Sequence, residues 1–173
     1  MNPRKLTIFL IILDWISSVL AWGTFFYLRK VKIEKVDFTV GDSFYYGVII
    51  IPLLWLLIYL LQGTYQDVKR LHRFKIVNLS FAGNFIGVLI IFFIFLIDDE
   101  ITGYNQYYSS IFLLFIIQLI FILIPRYILI SFIVNKIHQR KAGFNTIIIG
   151  GSVKAVEIYD EIAGLPKGIG HNF

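Results

Sequence analysis

The residues best suited to chemistry in this chain are few and far apart. Gly150, Gly151 and Ser152 follow a β-branched run at 144–149 and precede an amphipathic stretch at 153–163. A strand, a tight glycine turn and a helix in that order open a dinucleotide-binding unit, where glycines let a phosphate approach the first turn of the helix. Against the G-x-G-x-x-G pattern, Gly150 fills the first place, Ser152 replaces the second glycine and Ala155 occupies the last. Gly150, Gly151 and Ser152 are therefore candidates for cofactor binding, with a purely structural turn as the competing reading. A second feature is Asp14, a carboxylate inside a long apolar run. A third is the basic series Lys69, Arg70, Arg73 and Lys75, candidates for contact with a lipid phosphate, although membrane topology alone also accounts for them.

The remaining polar groups do not assemble into a catalytic or metal-binding set. Asp160 and Glu161 are adjacent, but adjacent side chains on a helix point in different directions and read as a solvated face. Asp98, Asp99 and Glu100 fit an acidic connection between apolar segments, and His72, His138 and His171 lack metal-ligand spacing. The absence of cysteine excludes disulfides, thiolate metal sites and cysteine nucleophiles. No catalytic residue, metal ligand or resident cofactor is assigned to the chain.

The elements that must position these residues are mostly apolar. Four stretches, at 6–28, 45–61, 76–97 and 111–130, are each close to the ~20 residues that carry a helix across a bilayer. They lack the polar face of a soluble amphipathic helix. Hydrophobic residues make up 58% of the chain and mean hydropathy is +0.78, well beyond an ordinary soluble domain. The first stretch is too long for a signal-peptide core and closes on Tyr27, Leu28, Arg29 and Lys30 rather than on a small-residue cleavage site, so it is expected to stay. The net charge of +5 comes from clusters flanking the spans, which suits a lipid bilayer as partner and not nucleic acid.

Loop charges predict an orientation. Arg4 and Lys5, the series Lys69 to Lys75, and Lys136, Arg140 and Lys141 fall on one side of a four-span threading, the side expected to be cytoplasmic, with both termini inside. The connection around Asp98–Glu100 then lies outside, as does the mixed-charge segment 29–44, and tyrosines such as Tyr45 and Tyr108 flank these outer connections as an aromatic belt would. Within the spans, Asp14 lies eight residues after Leu6 and Asn84 eight after Ile76, which puts both roughly 12 Å deep and predicts that they meet. Ser80, Gly83, Asn84 and Gly87 share helical spacing, and Gly83/Gly87 is a small-xxx-small pattern, so these residues with Asp14 are expected to form a packing seam. A proton or ion path is the alternative, and Arg126 is the other ionisable group at depth. Pro52 and Pro125 are expected to kink the second and fourth spans.

The expected fold class is mainly α: a four-helix transmembrane bundle over 1–135, followed over 136–173 by a linker and the first strand–turn–helix of a Rossmann-like α/β domain. One strand and one helix cannot bury a parallel sheet on both faces, so the domain is expected to be incomplete and the chain to be part of a longer protein.

Several motifs carry a resemblance. Leu61-Gln62-Gly63-Thr64-Tyr65 leads into a basic loop, Ile91-Phe92-Phe93 runs to Leu96-Ile97-Asp98-Asp99, and Tyr107-Tyr108 and Pro125-Arg126 follow. Above all, Lys136-Ile137-His138-Gln139-Arg140-Lys141-Ala142-Gly143-Phe144-Asn145-Thr146 leads to Ile149-Gly150-Gly151-Ser152. With four spans and both ends inside, this resembles the N-terminal part of bacterial polyprenyl glycosylphosphotransferases, the sugar transferases of exopolysaccharide and capsule synthesis, in a Bacteroidetes-like version. The resemblance covers essentially the whole chain and is most specific over 136–152. It implies transfer of a sugar-1-phosphate from a nucleotide sugar to undecaprenyl phosphate at the bacterial inner membrane. It also implies that an Asp-Glu catalytic pair and Mg2+ reside in a C-terminal domain beyond these residues. A membrane-anchored nucleotide-sugar dehydratase or epimerase, which would use the glycine turn for NAD, is the second reading, and a non-catalytic membrane scaffold module the third. The sequence does not select an oligomeric state, and a homo-oligomer is compatible with it.

Overall fold

A computed structural model describes residues 3–66, 68, 71–98, 104–141, 143–150, 153–166 and 168–172. Helix α1 (Pro3–Leu28) opens on a proline, whose missing N–H is no loss in a first turn, and continues into a π-helical turn, Arg29–Glu34. In that wider turn residues five apart come together, and Arg29 Nε reaches Glu34 Oε1 at 2.8 Å. Lys35, at φ 55°, ends the turn.

Helix α2 (Asp42–Leu61) stops through a Schellman turn: Gly63, at φ 71°, donates to the Leu60 carbonyl and Thr64 N–H to that of Tyr59, so two orphan carbonyls are satisfied. Helix α3 spans Arg73–Asp98 and α4 spans Tyr104–His138. Pro52 and Pro125 both sit inside continuous helices. At 35 residues α4 is roughly 52 Å long, far more than a hydrocarbon core requires, and it runs three residues past the expected boundary at 135.

The four helices form a square. α1 packs against α2 and α4, and α3 packs against the same two. The bundle buries a polar cluster within an apolar core and also exposes apolar side chains on its outside. Asp14, Ser18, Ser80, Asn84, Gln118 and Arg126 are buried, whereas Ile8, Ile12, Leu20, Leu53, Phe85 and Ile128 are exposed. An apolar exterior of this extent has to be covered, and all four helices are long and apolar enough to cross a membrane. The chain is a multi-pass membrane protein.

Glycines admit tryptophans between the helices. A Cβ on Gly47 would enter the Trp22 ring, and one on Gly87 would enter the Trp55 ring. Without a hydrophobic force between helices in lipid, such close contact is a main source of cohesion.

Beyond α4 the expected strand over 144–149 is cut down. Only β1 (Phe144–Asn145) pairs, in parallel, with β2 (His171–Asn172), in the register Phe144↔His171 and Asn145↔Asn172. Ile147 and Ile149 are 85% and 95% exposed and lie in no regular element. A strand extends only as far as its partner, and the pairing here is two residues long. Helix α5 (Val153–Gly164) connects the two strands, and its side chains are not buried.

Replacing Gly87 with alanine is expected to destabilise the bundle by about 1–3 kcal/mol through overpacking against Trp55, whereas Gly23→Ala, with open space around it, should be near neutral. Unfolding of the two variants in detergent, followed by loss of helical circular dichroism, measures the difference.

Candidate functional site

The bundle interior is organised around one ion pair. Arg126 of α4 donates from Nε to Asp14 Oδ1 and from Nη2 to Asp14 Oδ2, each at 2.7 Å, in the bidentate geometry that suits a guanidinium and a carboxylate. Arg126 is 0% exposed and Asp14 1%. Arg126 Nη1 donates to Ser80 Oγ of α3 at 3.1 Å, and the guanidinium carbon lies 3.8 Å from the centre of the Tyr59 ring of α2. The Tyr65 hydroxyl, from the turn after α2, donates to Asp14 Oδ2 at 2.7 Å. Burial, and then the adjacent carboxylate, push the Tyr65 hydroxyl well above its ordinary range, so it remains a donor.

The turn after α2 is held from two further sides. Thr7 of α1 donates from Oγ1 to the Tyr65 carbonyl at 3.3 Å. With its amide oriented to satisfy both neighbours, Gln62 donates to the Leu79 carbonyl at 3.1 Å and accepts from Gly83 N–H at 2.9 Å. A side chain at Gly83 would obstruct this approach, because its Cβ would lie 2.6 Å from Tyr59 Cε1 and 2.9 Å from the Gln62 amide group.

The expected Asp14–Asn84 contact is replaced by other pairings. Asn84 Nδ2 donates to the Phe115 carbonyl of α4 at 2.9 Å, while Asp14 is taken by Arg126 and Tyr65. α4 packs against both α1 and α3 and takes both residues at different levels: Ser80, one turn before Asn84, shares Arg126 with Asp14, while Asn84 meets Phe115 further along α4. Ser80 joins the cluster through Arg126, and Gly83 and Gly87 face α2. Gln118 Nε2 donates to Ser18 Oγ at 3.1 Å, a link between α4 and α1 that the sequence reading missed. Asn84 Oδ1 and Gln118 Oε1 are buried acceptors without a partner among the described residues.

Tyr65 and Gln62 were also missed as participants. Their signal was the run Gln62-Gly63-Thr64-Tyr65 itself, a glycine stop flanked by polar groups directly after an apolar helix. Chemically the ion pair is closed: Asp14 accepts three hydrogen bonds and Arg126 is engaged through all three nitrogens. This arrangement fixes helices and leaves no open carboxylate for a reaction.

The other candidate residues lie apart from it. Lys69, Arg70, Gly151 and Ser152 are outside the described residues. Arg73 Nη2 donates to Asn135 Oδ1 at 3.0 Å, and Lys75 is exposed. Gly150 has φ 148°, a conformation that favours glycine, and stands before α5. Asp160 and Glu161 are exposed on α5, far in sequence from the buried pair, and among the described residues no three His, Asp or Glu side chains are grouped to hold a metal. Comparison of the chain with protein-family models, curated proteins and solved structures finds no match.

Arg126→Leu, which strands a buried carboxylate, is expected to cost about 3–5 kcal/mol, and Asp14→Leu/Arg126→Leu should recover part of that loss. Asn84→Leu, which removes one hydrogen bond to a backbone carbonyl, should cost only about 0.6–2 kcal/mol. Reversible unfolding of the three variants in mixed micelles tests the order, and a double variant less stable than Arg126→Leu would contradict it.

Proposed function

We propose that this chain is the membrane-anchoring N-terminal part of a polyprenyl glycosylphosphotransferase of exopolysaccharide synthesis. The observation that carries the reading is the segment Lys136–Ser152, where the resemblance to that family is most specific and where the last span passes into the extramembrane unit. In the structure α4 ends there in a second Schellman turn, with Arg140 N–H bonded to the Ile137 carbonyl and Lys141 N–H to that of Lys136. The parallel pairing of β1 with β2 across α5 is the connection a Rossmann-like domain would begin with, and it supports assigning residues 136–173 to such a domain.

In this reading the protein lies in the bacterial inner membrane with both termini cytoplasmic. The whole enzyme moves a sugar-1-phosphate from a nucleotide sugar to undecaprenyl phosphate. The Asp-Glu pair and the Mg2+ that neutralises phosphoryl charge belong to a catalytic domain that these 173 residues do not include. The closed Asp14–Arg126 pair takes no part in that chemistry; it holds the anchor together.

The 173-residue chain alone is expected to transfer no radiolabelled sugar phosphate to polyprenyl phosphate. The chain extended by its downstream coding sequence should do so with Mg2+, releasing a nucleoside monophosphate. Transfer by the short chain would refute the placement of the active site, and NAD-dependent conversion of a nucleotide sugar by the extended chain would favour a dehydratase or epimerase using the turn at Gly150.

Orientation has its own measurement. Cysteines placed at Lys5 and Lys141 should be shielded from an impermeant thiol reagent in intact cells, while one at Glu34 should be labelled; the reverse pattern would invert the anchor.

A further inference from the structure

One end of the bundle is basic in a way the buried ion pair does not account for. The first turns of α1 and α3 and the last turns of α4 meet there, as the Thr7–Tyr65 and Arg73–Asn135 hydrogen bonds require. They bring Arg4, Lys5, Arg73, Lys75, Lys136 and Lys141 to that end, and among the described residues of these turns there is no Asp or Glu. The other end is mixed, with Glu34, Asp37 and Asp42 standing among Arg29, Lys30, Lys32 and Lys35 and with Arg29 paired to Glu34.

The corner between α3 and α4 carries more than charge. The Arg73–Asn135 hydrogen bond, at 3.0 Å, ties the start of α3 to the end of α4. Next to it Lys136 Nζ lies 4.5 Å from the centre of the Phe132 ring. Phe132 and Phe74 are 55% and 72% exposed, on a surface that faces lipid. Two cations at the ends of adjoining helices, one of them held against an exposed ring, match a ligand that has an anionic head and acyl chains.

We propose that the α3/α4 corner, through Arg73 and Lys136 with the Phe132 ring against Lys136, is a binding site for an anionic phospholipid of the surrounding bilayer. The inference does not depend on the transferase reading or on which leaflet the basic end faces, since it needs only the basic end and the exposed ring against Lys136. A basic residue near the surface contributes about 1 kcal/mol of attraction to anionic lipid, or about fivefold in binding, so the two cations together are worth roughly 30-fold.

The test uses the full 173-residue chain reconstituted with equal amounts of phosphatidylglycerol and phosphatidylcholine, stripped progressively in detergent, with retained lipid counted by native mass spectrometry. Phosphatidylglycerol should be retained in preference. R73Q/K136Q, in which glutamine still offers Asn135 a donor, should lose that preference by up to roughly 30-fold, while R73K/K136R should keep it. K30Q/K32Q, at the other end, should also keep it. Equal retention of the two lipids by the unaltered chain would overturn the proposal, as would a preference that survives R73Q/K136Q or one that K30Q/K32Q abolishes equally.

Discussion

The bidentate contact between Asp14 and Arg126 is the constraint on which the rest of the bundle depends. Neither residue is readily kept at membrane depth alone, because a lone charge there costs several kcal/mol. Together they still require partners for their outer lone pairs and N–H groups, and Tyr65 and Ser80 supply them while the Tyr59 ring covers the guanidinium face. The participants come from α1, α2 with its following turn, α3 and α4. Each helix therefore has one rotation in which its polar group reaches the cluster. Lipid would not choose that rotation, since helices apolar on nearly every side gain little by turning one face inward rather than another.

Steric fit then sets how closely the helices approach. Trp22 of α1 sits over Gly47 of α2, and Trp55 of α2 sits over Gly87 of α3. Trp22 also donates from Nε1 to the Phe44 carbonyl at 3.3 Å, which anchors its polar atom near the start of α2. Gly83 also gives Gln62 access to the backbone of α3 at Leu79 and Gly83. The pair Gly83/Gly87, which reads as one small-xxx-small seam in sequence, thus admits two rings of α2, Tyr59 at Gly83 and Trp55 at Gly87, and at Gly83 the Gln62 bridge as well.

The four spans were legible in the sequence because length and hydropathy are summed properties that survive errors in any single position. Asp14 is recognisable as costly because one carboxylate interrupts such a run, and Arg126 is visible as the other charge at depth. The pairing was not legible. Counting rise along two helices fixes depth, whereas partner choice depends on rotation and on which helices are neighbours, and nothing in a nearly uniform apolar pattern encodes either. The segment 144–149 failed in the opposite way. Its β-branched residues favour extended backbone, but a ladder needs a second strand, and among the described residues only His171 and Asn172 supply one.

Helix α4 joins these levels. It carries Arg126 in the ion pair and ends at His138, and Arg140 follows 14 residues after Arg126, a separation of roughly 21 Å at helical rise. Arg140 adopts φ 57°, a conformation usually left to glycine, and its Nη2 donates to the carbonyls of Ala163 and Leu165 at 2.8 Å each. Those carbonyls belong to the C-terminal end of α5 and the residue after it, where a cation also complements the helix dipole. Gly168 N–H bonds the His138 carbonyl at 3.0 Å, and a Cβ there would lie 2.6 Å from the Ile137 carbonyl, so the returning chain can lie against the end of α4 only with glycine at that position. The strain at Arg140 is thereby offset by the contacts it makes. The segment after α4 is consequently held against the end of the same helix that carries Arg126 in the buried ion pair.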